Sequence, residues 1–511
     1  MALLVCRFNL PTSICDDAFI SLRTATHLST GHGMVFNVGE RVFCVTTPLW
    51  VFLLAIVRWF TSDTVVAAFL LGIISEVLLI LTFGLLVRRL TGSIAAGALA
   101  STLLTVNPVF LMTSFNGMEL SLSLWLVCLS LLALAHERPT AALLVAAIAV
   151  WARIDNAVLF AVALVVVLLR PGSLLASRVK RTGFALWPAA AVLAGYALFG
   201  LVYYGSLVPT SLRFKAGASA VPLSDAWLSA VQRVGFEFMK VFFGKSSYWY
   251  FQGTPYWIFV LPALVGVTEI ITRRRRTWIP VGAFTVLWLL AYIAPGNIYA
   301  YHFPWYFVPV LPGLYAVSAW GCLVLFTELG RIRILRHRAI PAALLLLITL
   351  AWPLAMAGPL TRSADYAMHG PSGFLEREQV YAAAGTWARV HLPDQSTVAA
   401  VEIGGIGYYA GPGIVVLDME GLARTVEDRN MDYVTLVKRH SPFAILTRKH
   451  FEHREIIERE MPGAYVWERF MTLDIGLRAD LSPLIASVPS ELDRLYDSLG
   501  TARESRLLAS P

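Results

Sequence analysis

The chain has 511 residues, of which 57% are hydrophobic and 14% charged, against roughly 45–50% apolar and about 25% charged in an ordinary soluble protein. With a mean hydropathy of +0.66, that composition excludes a water-soluble globule. The net charge of +8 divides unevenly: residues 1–360 carry 25 basic and 12 acidic side chains, a net +13, and residues 361–511 carry 16 basic and 21 acidic, a net −5.

Met1–Leu10 is apolar but runs into Pro11, and ten helical residues reach about 15 Å, half of a hydrocarbon core of about 30 Å. If residues 11–64 face outward, an in-to-out helix must precede them, so an upstream apolar segment is expected. A cleaved signal peptide is not expected, for want of a basic start and a small-residue cleavage site. Asp16 and Asp17 then open a predicted helix over Ala18–Leu28. Thr47–Phe60 is apolar but only 14 residues long and interrupted by Arg58, and the alternation of charged loops requires that it not cross.

Ten spans are predicted: Val65–Val87, Ile94–Thr113, Met118–Ala135, Thr140–Ala152, Asn156–Leu169, Phe184–Tyr203, Tyr256–Thr272, Ile279–Pro295, Phe303–Phe326 and Ala339–Ala357. Basic residues cluster on alternate connections, at Arg88 and Arg89, at Arg138, at Arg170 to Arg181, at Arg273 to Arg276 and at Arg331 to Arg338. That marks one side as cytoplasmic. The first outer loop (11–64), the Asn116 turn, the Arg153–Asp155 turn, the outer loop 204–255, residues 296–302 and the tail then face the periplasm or cell exterior. The fourth and fifth spans are short for a straight crossing. The basic excess thus anchors a multi-pass protein of the inner (plasma) membrane and is no patch for nucleic acid.

The tail has the charge density of a soluble domain. Its Gly404–Gly413 stretch lacks the Gly-Lys-Ser/Thr ending of a nucleotide loop and is predicted as a tight turn between strands Thr397–Ile403 and Ile414–Leu417. Gln379–His391 and Phe451–Glu460 are predicted helices. The expected architecture is a polytopic α-helical membrane module over residues 1–357 followed by a mixed α/β extracytoplasmic domain over 358–511.

The five cysteines, Cys6, Cys15, Cys44, Cys128 and Cys322, show no C-x-x-C spacing, so neither a zinc site nor a disulfide framework is indicated. Cys15 and Cys44 can pair if their loop is extracytoplasmic. Asp16 and Asp17 can bind a divalent cation or deprotonate an acceptor hydroxyl, each raising the other's pKa; either also serves as an N-cap. Glu119 opens a span at its outer end, where an acid is costly unless it lines a cavity or meets the helix dipole. Glu76, mid-span, is read as bonding to a neighbouring helix. Arg153, Arg213, Lys215 and His302 are outer-side candidates for phosphate recognition, with snorkelling to headgroups and interfacial belts as the plainer reading of each.

The first outer loop reads DDAFISLRTATHLSTGHGMVFNVGERVFCVTTPLW from Asp16 to Trp50. It resembles, almost continuously, the corresponding loop of polyprenyl-phosphate-sugar-dependent glycosyltransferases of the GT-C class, and among them the mycobacterial terminal arabinofuranosyltransferase family. Thr113–Glu119 resembles that family's S-G-M-E turn, and Tyr203–Pro209 with Lys215 its Y-Y-G-x-L-x-P-N-T…K loop. Ile403–Gly411 with Asp418, Gly421 and Leu422 resembles its G-x-I-G-Y-Y-S-G…D-x-x-G-L. Thr210 departs from the family's Asn.

The resemblance implies a GT-C-like fold of about 10–11 transmembrane helices, with Thr47–Phe60 as a juxtamembrane helix. It implies transfer of a sugar, arabinofuranose in the family named, from a polyprenyl-phosphate donor to a cell-envelope glycan or lipid. Asp16 or Asp17 is then the base, with Glu119 as a second acid. Arg153, Arg213, Lys215, Tyr204 and His302 are the candidates around donor phosphate, and a divalent cation on Asp16 and Asp17 stays open. The competing class is a transporter or scaffold in which Asp16, Glu119 and Arg153 line a polar path. Against it, the hydropathy shows no inverted repeat and no span broken by paired Gly and Pro.

Overall fold

The computed structural model describes residues 14–114, 116–169, 175–218, 225–243, 255–295, 302–329, 343–356, 374–449 and 451–508, with 297 and 358. Met1–Leu10, Arg170, Tyr299–Tyr301 and the arginines from Arg331 to Arg338 lie outside the described residues.

Helix α1 covers Asp16–Ser29 and α2 covers Pro48–Thr61. The 14 residues of α2 span about 21 Å, too little to cross. Helix α3, Thr64–Thr91, starts where the Asp63 carboxylate accepts from the Val65 amide at 2.7 Å and ends at Gly92 in the left-handed conformation, a capped helix of 28 residues. Helices α4, Ile94–Thr105, and α5, Pro108–Ser114, are bent by 69° at a short break, the geometry of a broken span or a re-entrant loop. Pro108 lacks an amide and drives Asn107 out of helical geometry. The Asn107 side chain takes over, accepting from the Phe110 amide at 3.0 Å and donating to the Tyr315 hydroxyl at 2.7 Å.

The membrane module continues through α6 Leu120–Ala135, α7 Pro139–Ala152, α8 Ala157–Leu168, α9 Leu175–Tyr204, α10 Thr210–Ala218, α11 Asp225–Phe242, α12 Val260–Thr272, α13 Ile279–Ile293, α14 Leu311–Leu329 and α15 Ala343–Met356. The predicted spans fall on described apolar helices, the second on the bent pair α4 and α5 and the tenth, in its described part, on Ala343–Met356. Among the described residues, four helices are long and apolar enough to cross singly, and the bent pair α4–α5 passes the same test only when its two helices are taken together. The chain is a multi-pass membrane protein. The short α7 and α8 are joined by a 3₁₀ turn at Ile154–Asn156, and α10 and α11 occupy the expected outer loop 204–255. Glu76 is buried on α3.

The tail begins its described part with α16, Phe374–His391. Strands β1 Thr397–Ala400, β2 Val415–Asp418, β3 Ala444–Arg448, β4 Tyr465–Phe470 and β5 Leu473–Arg478 form one sheet in the order β2-β1-β3-β5-β4. β1 is parallel to both β2 and β3, while β5 is antiparallel to β3 and β4. This corrects the tight-turn reading of Gly404–Gly413. Parallel neighbours need a crossover, and the segment winds into helix α17, Gly404–Ala410. Helices α18 Tyr433–His440, α19 His453–Glu460, α20 Ser482–Ile485 and α21 Val488–Leu508 complete the domain. Its apolar face is continuous with the core of the membrane module.

Cys15 and Cys44 are buried free thiols, so the pairing considered for them is not made. Their neighbourhoods differ: the Cys15 amide donates to the Asn116 carbonyl at 3.0 Å, whereas the Cys44 carbonyl accepts from the Ser211 hydroxyl at 2.8 Å.

Candidate active site

Asp16 and Asp17 both lie in the first turn of α1, whose N-cap is Cys15 and carries no side-chain cap bond. The capping reading of the pair is therefore overturned, because both residues are already inside the helix. Consecutive helical residues point about 100° apart, and the two carboxylates enter different surroundings. Asp16 is buried, accepting from the Gly404 amide at 3.1 Å and the Gly405 amide at 2.7 Å. Burial, then the charges of Glu402 and Glu378, push its carboxyl well above the usual carboxylate range. Gly404 is required there, since a Cβ at that position would collide with the Asp16 backbone oxygen.

Asp17 instead lies within electrostatic reach of Lys215 on α10. Burial lowers the Lys215 ammonium pKa, but Tyr306 and Asp17 outweigh it and the net shift is upward, so the lysine stays charged. Lys215 Nζ donates to the Tyr306 hydroxyl oxygen at 3.2 Å. The two aspartates thus do not form one chelating pair. Among the described residues, no group of three or more His, Cys, Asp or Glu side chains is arranged to hold a metal ion.

Glu119 and Arg153 meet beside the same tyrosine. Glu119 precedes α6 and Arg153 ends α7, and the guanidinium donates to the Glu119 carboxylate at 2.8 Å. Its other edge reaches Asp155 at 2.7 Å, and the Tyr292 hydroxyl donates to the same Asp155 oxygen at 2.7 Å. The guanidinium carbon lies 5.6 Å from the centre of the Tyr306 ring, within cation–π range. The Tyr306 carbonyl in turn accepts from the Trp288 indole at 2.8 Å, which ties down the backbone that carries the ring. One cluster therefore joins Lys215, Tyr306, Arg153, Glu119, Asp155 and Tyr292, with Asp17 within electrostatic reach of Lys215.

Three predicted residues fall elsewhere. Arg213 is exposed and donates to the Ser206 hydroxyl at 3.2 Å; two residues from Lys215 is about 200° around the helix, so it faces away. The Tyr204 hydroxyl donates to the Met34 carbonyl at 2.6 Å and its ring stacks on Phe43 at 4.6 Å, holding the first loop against α9. His302 is half-buried within electrostatic reach of Glu237, and burial pushes its imidazole pKa down. Sequence reasoning missed Asp155, Tyr292 and Tyr306 as members. Asp155 had a usable signal, an acid two residues from an arginine at a turn between apolar spans. The tyrosines had none, since aromatic side chains populate every membrane interface.

A family model described as a domain of unknown function (DUF8728) matches residues 368–484, within the tail. The chain is 30% identical over 238 residues to a terminal β-(1→2)-arabinofuranosyltransferase of Mycobacterium tuberculosis, a match covering 42% of this chain and 36% of that protein. The chain thus aligns with about a third of the length of that relative. Among solved structures it superposes on ArnT from Cupriavidus metallidurans in the apo state, with a TM-score of 0.50 and 15% identity over 94% of this chain and 97% of that one. On the same protein bound to undecaprenyl phosphate the TM-score is 0.51, at 15% identity over 93% of this chain and 96% of that one. The chain has the GT-C fold of ArnT. The likeness spans the membrane module and the tail together, so the tail belongs to the architecture that surrounds the cluster.

Proposed function

We propose that the chain is a membrane glycosyltransferase that moves a sugar from a polyprenyl-phosphate donor to a hydroxyl of a cell-envelope glycan or lipid, on the outer face of the plasma membrane. The observation that carries this reading is the gathering of Lys215 and Arg153 from separate elements at Tyr306, with Asp17 of α1 within electrostatic reach of Lys215. Sugar transfer needs a base at the acceptor, donors at the departing phosphate and a frame that holds both. Asp17 takes the proton of the acceptor hydroxyl as its oxygen bonds to the anomeric carbon. The bond from that carbon to the phosphate oxygen breaks, and the phosphate leaves with the electron pair toward Lys215 and Tyr306. Lys215 donates to the Tyr306 oxygen, which leaves the phenolic proton for the phosphate. Glu119 and Asp155 hold Arg153 as part of the frame.

The likeness to an arabinofuranosyltransferase makes arabinofuranose the first sugar to test, and ArnT bound to undecaprenyl phosphate supports a polyprenyl phosphate as the carrier. The alternating basic loops support an extracytoplasmic tail. Full-length protein in lipid discs, given a panel of synthetic polyprenyl-phosphate sugars, envelope acceptors and divalent cations, is expected to release polyprenyl phosphate from one donor. Wild type that consumes none of them overturns the reading.

A further inference from the structure

The tail's parallel strands run out into two segments that pack against the helices carrying Asp17 and Lys215. β1 leads to α17, and α1 grips α17 at both ends. Asp16 accepts from the Gly404 and Gly405 amides at its start. Seven residues along α1, on the same face, Arg23 donates to the Gly407 carbonyl, to Gly411 at 3.0 Å and to Ile414 at 2.8 Å. An acid at the positive end and a base at the negative end match the helix dipole. Arg23 is 1% exposed, and a buried guanidinium is tolerated only where its donors are satisfied.

β2 ends at Asp418, whose carboxylate accepts from the Glu420, Gly421 and Ala423 amides at 2.8, 2.9 and 2.5 Å. That turn lays Gly421, at φ +112°, against the Phe214 ring and presents the Leu422 carbonyl to the Thr210 hydroxyl at 2.7 Å. Thr210 and Phe214 belong to α10, the helix of Lys215. β1 and β2 are paired from Thr397 and Val415 to Ala400 and Asp418, so one ladder fixes the two grips relative to each other.

We infer that the tail domain sets the spacing between Asp17 and Lys215, holding α1 through Arg23 and α10 through Thr210, which makes these two positioning residues of the transfer reaction. The consequence for rate rests on the proposed roles of Asp17 and Lys215, whereas the grip itself is measurable without activity. The test compares full-length wild type in lipid discs with Thr210→Val, Thr210→Ser and Arg23→Lys, following hydrogen exchange and, with a polyprenyl-phosphate sugar, kcat and donor KM.

Thr210→Val is expected to speed exchange across residues 210–218 while α3 exchanges as before, and to lower kcat by roughly tenfold to a hundredfold with little change in donor KM, as for a small misplacement of reacting groups. Thr210→Ser, which keeps the hydroxyl, behaves as wild type. Arg23→Lys, which keeps the charge but loses the fork, speeds exchange across α1 and α17. Unchanged exchange in Thr210→Val and Arg23→Lys overturns the inference, as does faster exchange with unchanged kcat. If wild type transfers no sugar, the proposed activity fails, and exchange alone still decides the grip.

Discussion

The Arg153 guanidinium stands 2.8 Å from the Glu119 carboxylate, with both side chains under 10% exposed. The pair ties the end of α7 to the start of α6, and Asp155 completes it from the turn that follows. A buried ion pair adds little net stability, but removing one partner strands the others in a low dielectric.

Arg153→Ala is therefore expected to destabilise the protein by about 3–5 kcal/mol, because two carboxylates lose their cation. Arg153→Lys, which keeps the charge without the bidentate fork, should lie between it and wild type. Thermal unfolding in detergent checks the order, and an Arg153→Ala protein as stable as wild type contradicts the account of the cluster.

Asp17→Asn and Asp16→Asn should part company. Loss of a general base costs roughly a hundredfold to ten-thousandfold in turnover, so Asp17→Asn is expected to fold normally and transfer almost no sugar. Asp16→Asn weakens the hold on α17, and its first effect is on thermal stability. Equal turnover in Asp17→Asn and wild type removes Asp17 from the chemistry.

Tyr306→Phe keeps the ring that Arg153 faces and deletes only the hydroxyl that Lys215 reaches. Turnover at saturating donor is expected to fall by about a hundredfold, the usual cost of one preorganised donor to a developing anion. The melting temperature should move little. A variant that melts many degrees lower would assign Tyr306 to packing instead.

Glu378, on α16, carries a pH dependence. Burial raises its carboxyl from 4.5 to about 7, with Arg377 opposing and Glu402 adding to the shift. A carboxyl raised in the folded state favours folding most below its unfolded value and loses that contribution as pH climbs through the folded one. Stability should therefore decline between about pH 4.5 and 7. Asp16, shifted in the same direction, reinforces the trend. Melting temperatures across that range test it, and Glu378→Gln, which cannot ionise, should flatten the slope.

Much of this protein was legible in one dimension. The apolar helices could be placed because lipid forces every crossing segment to satisfy its own backbone, which makes apolar helices the default. Glu119, Arg153 and Lys215 stood out because charges are scarce there and each sat at a span or loop end. Tyr306 was indistinguishable from a belt aromatic, and α17 was hidden because a Gly-rich stretch reads locally as a turn until the parallel sheet demands a crossover.

Composition and hydropathy by themselves determined a multi-pass helical module with a polar α/β tail, since apolar length and charge density are local properties of the chain. Only the tertiary structure decided what surrounds each aspartate of the first loop. Helical geometry turns neighbours about 100° apart, and what each then meets comes from distant sequence. For Asp16 that is a pair of amides 388 and 389 residues away, and for Asp17 the electrostatic reach of Lys215 on α10.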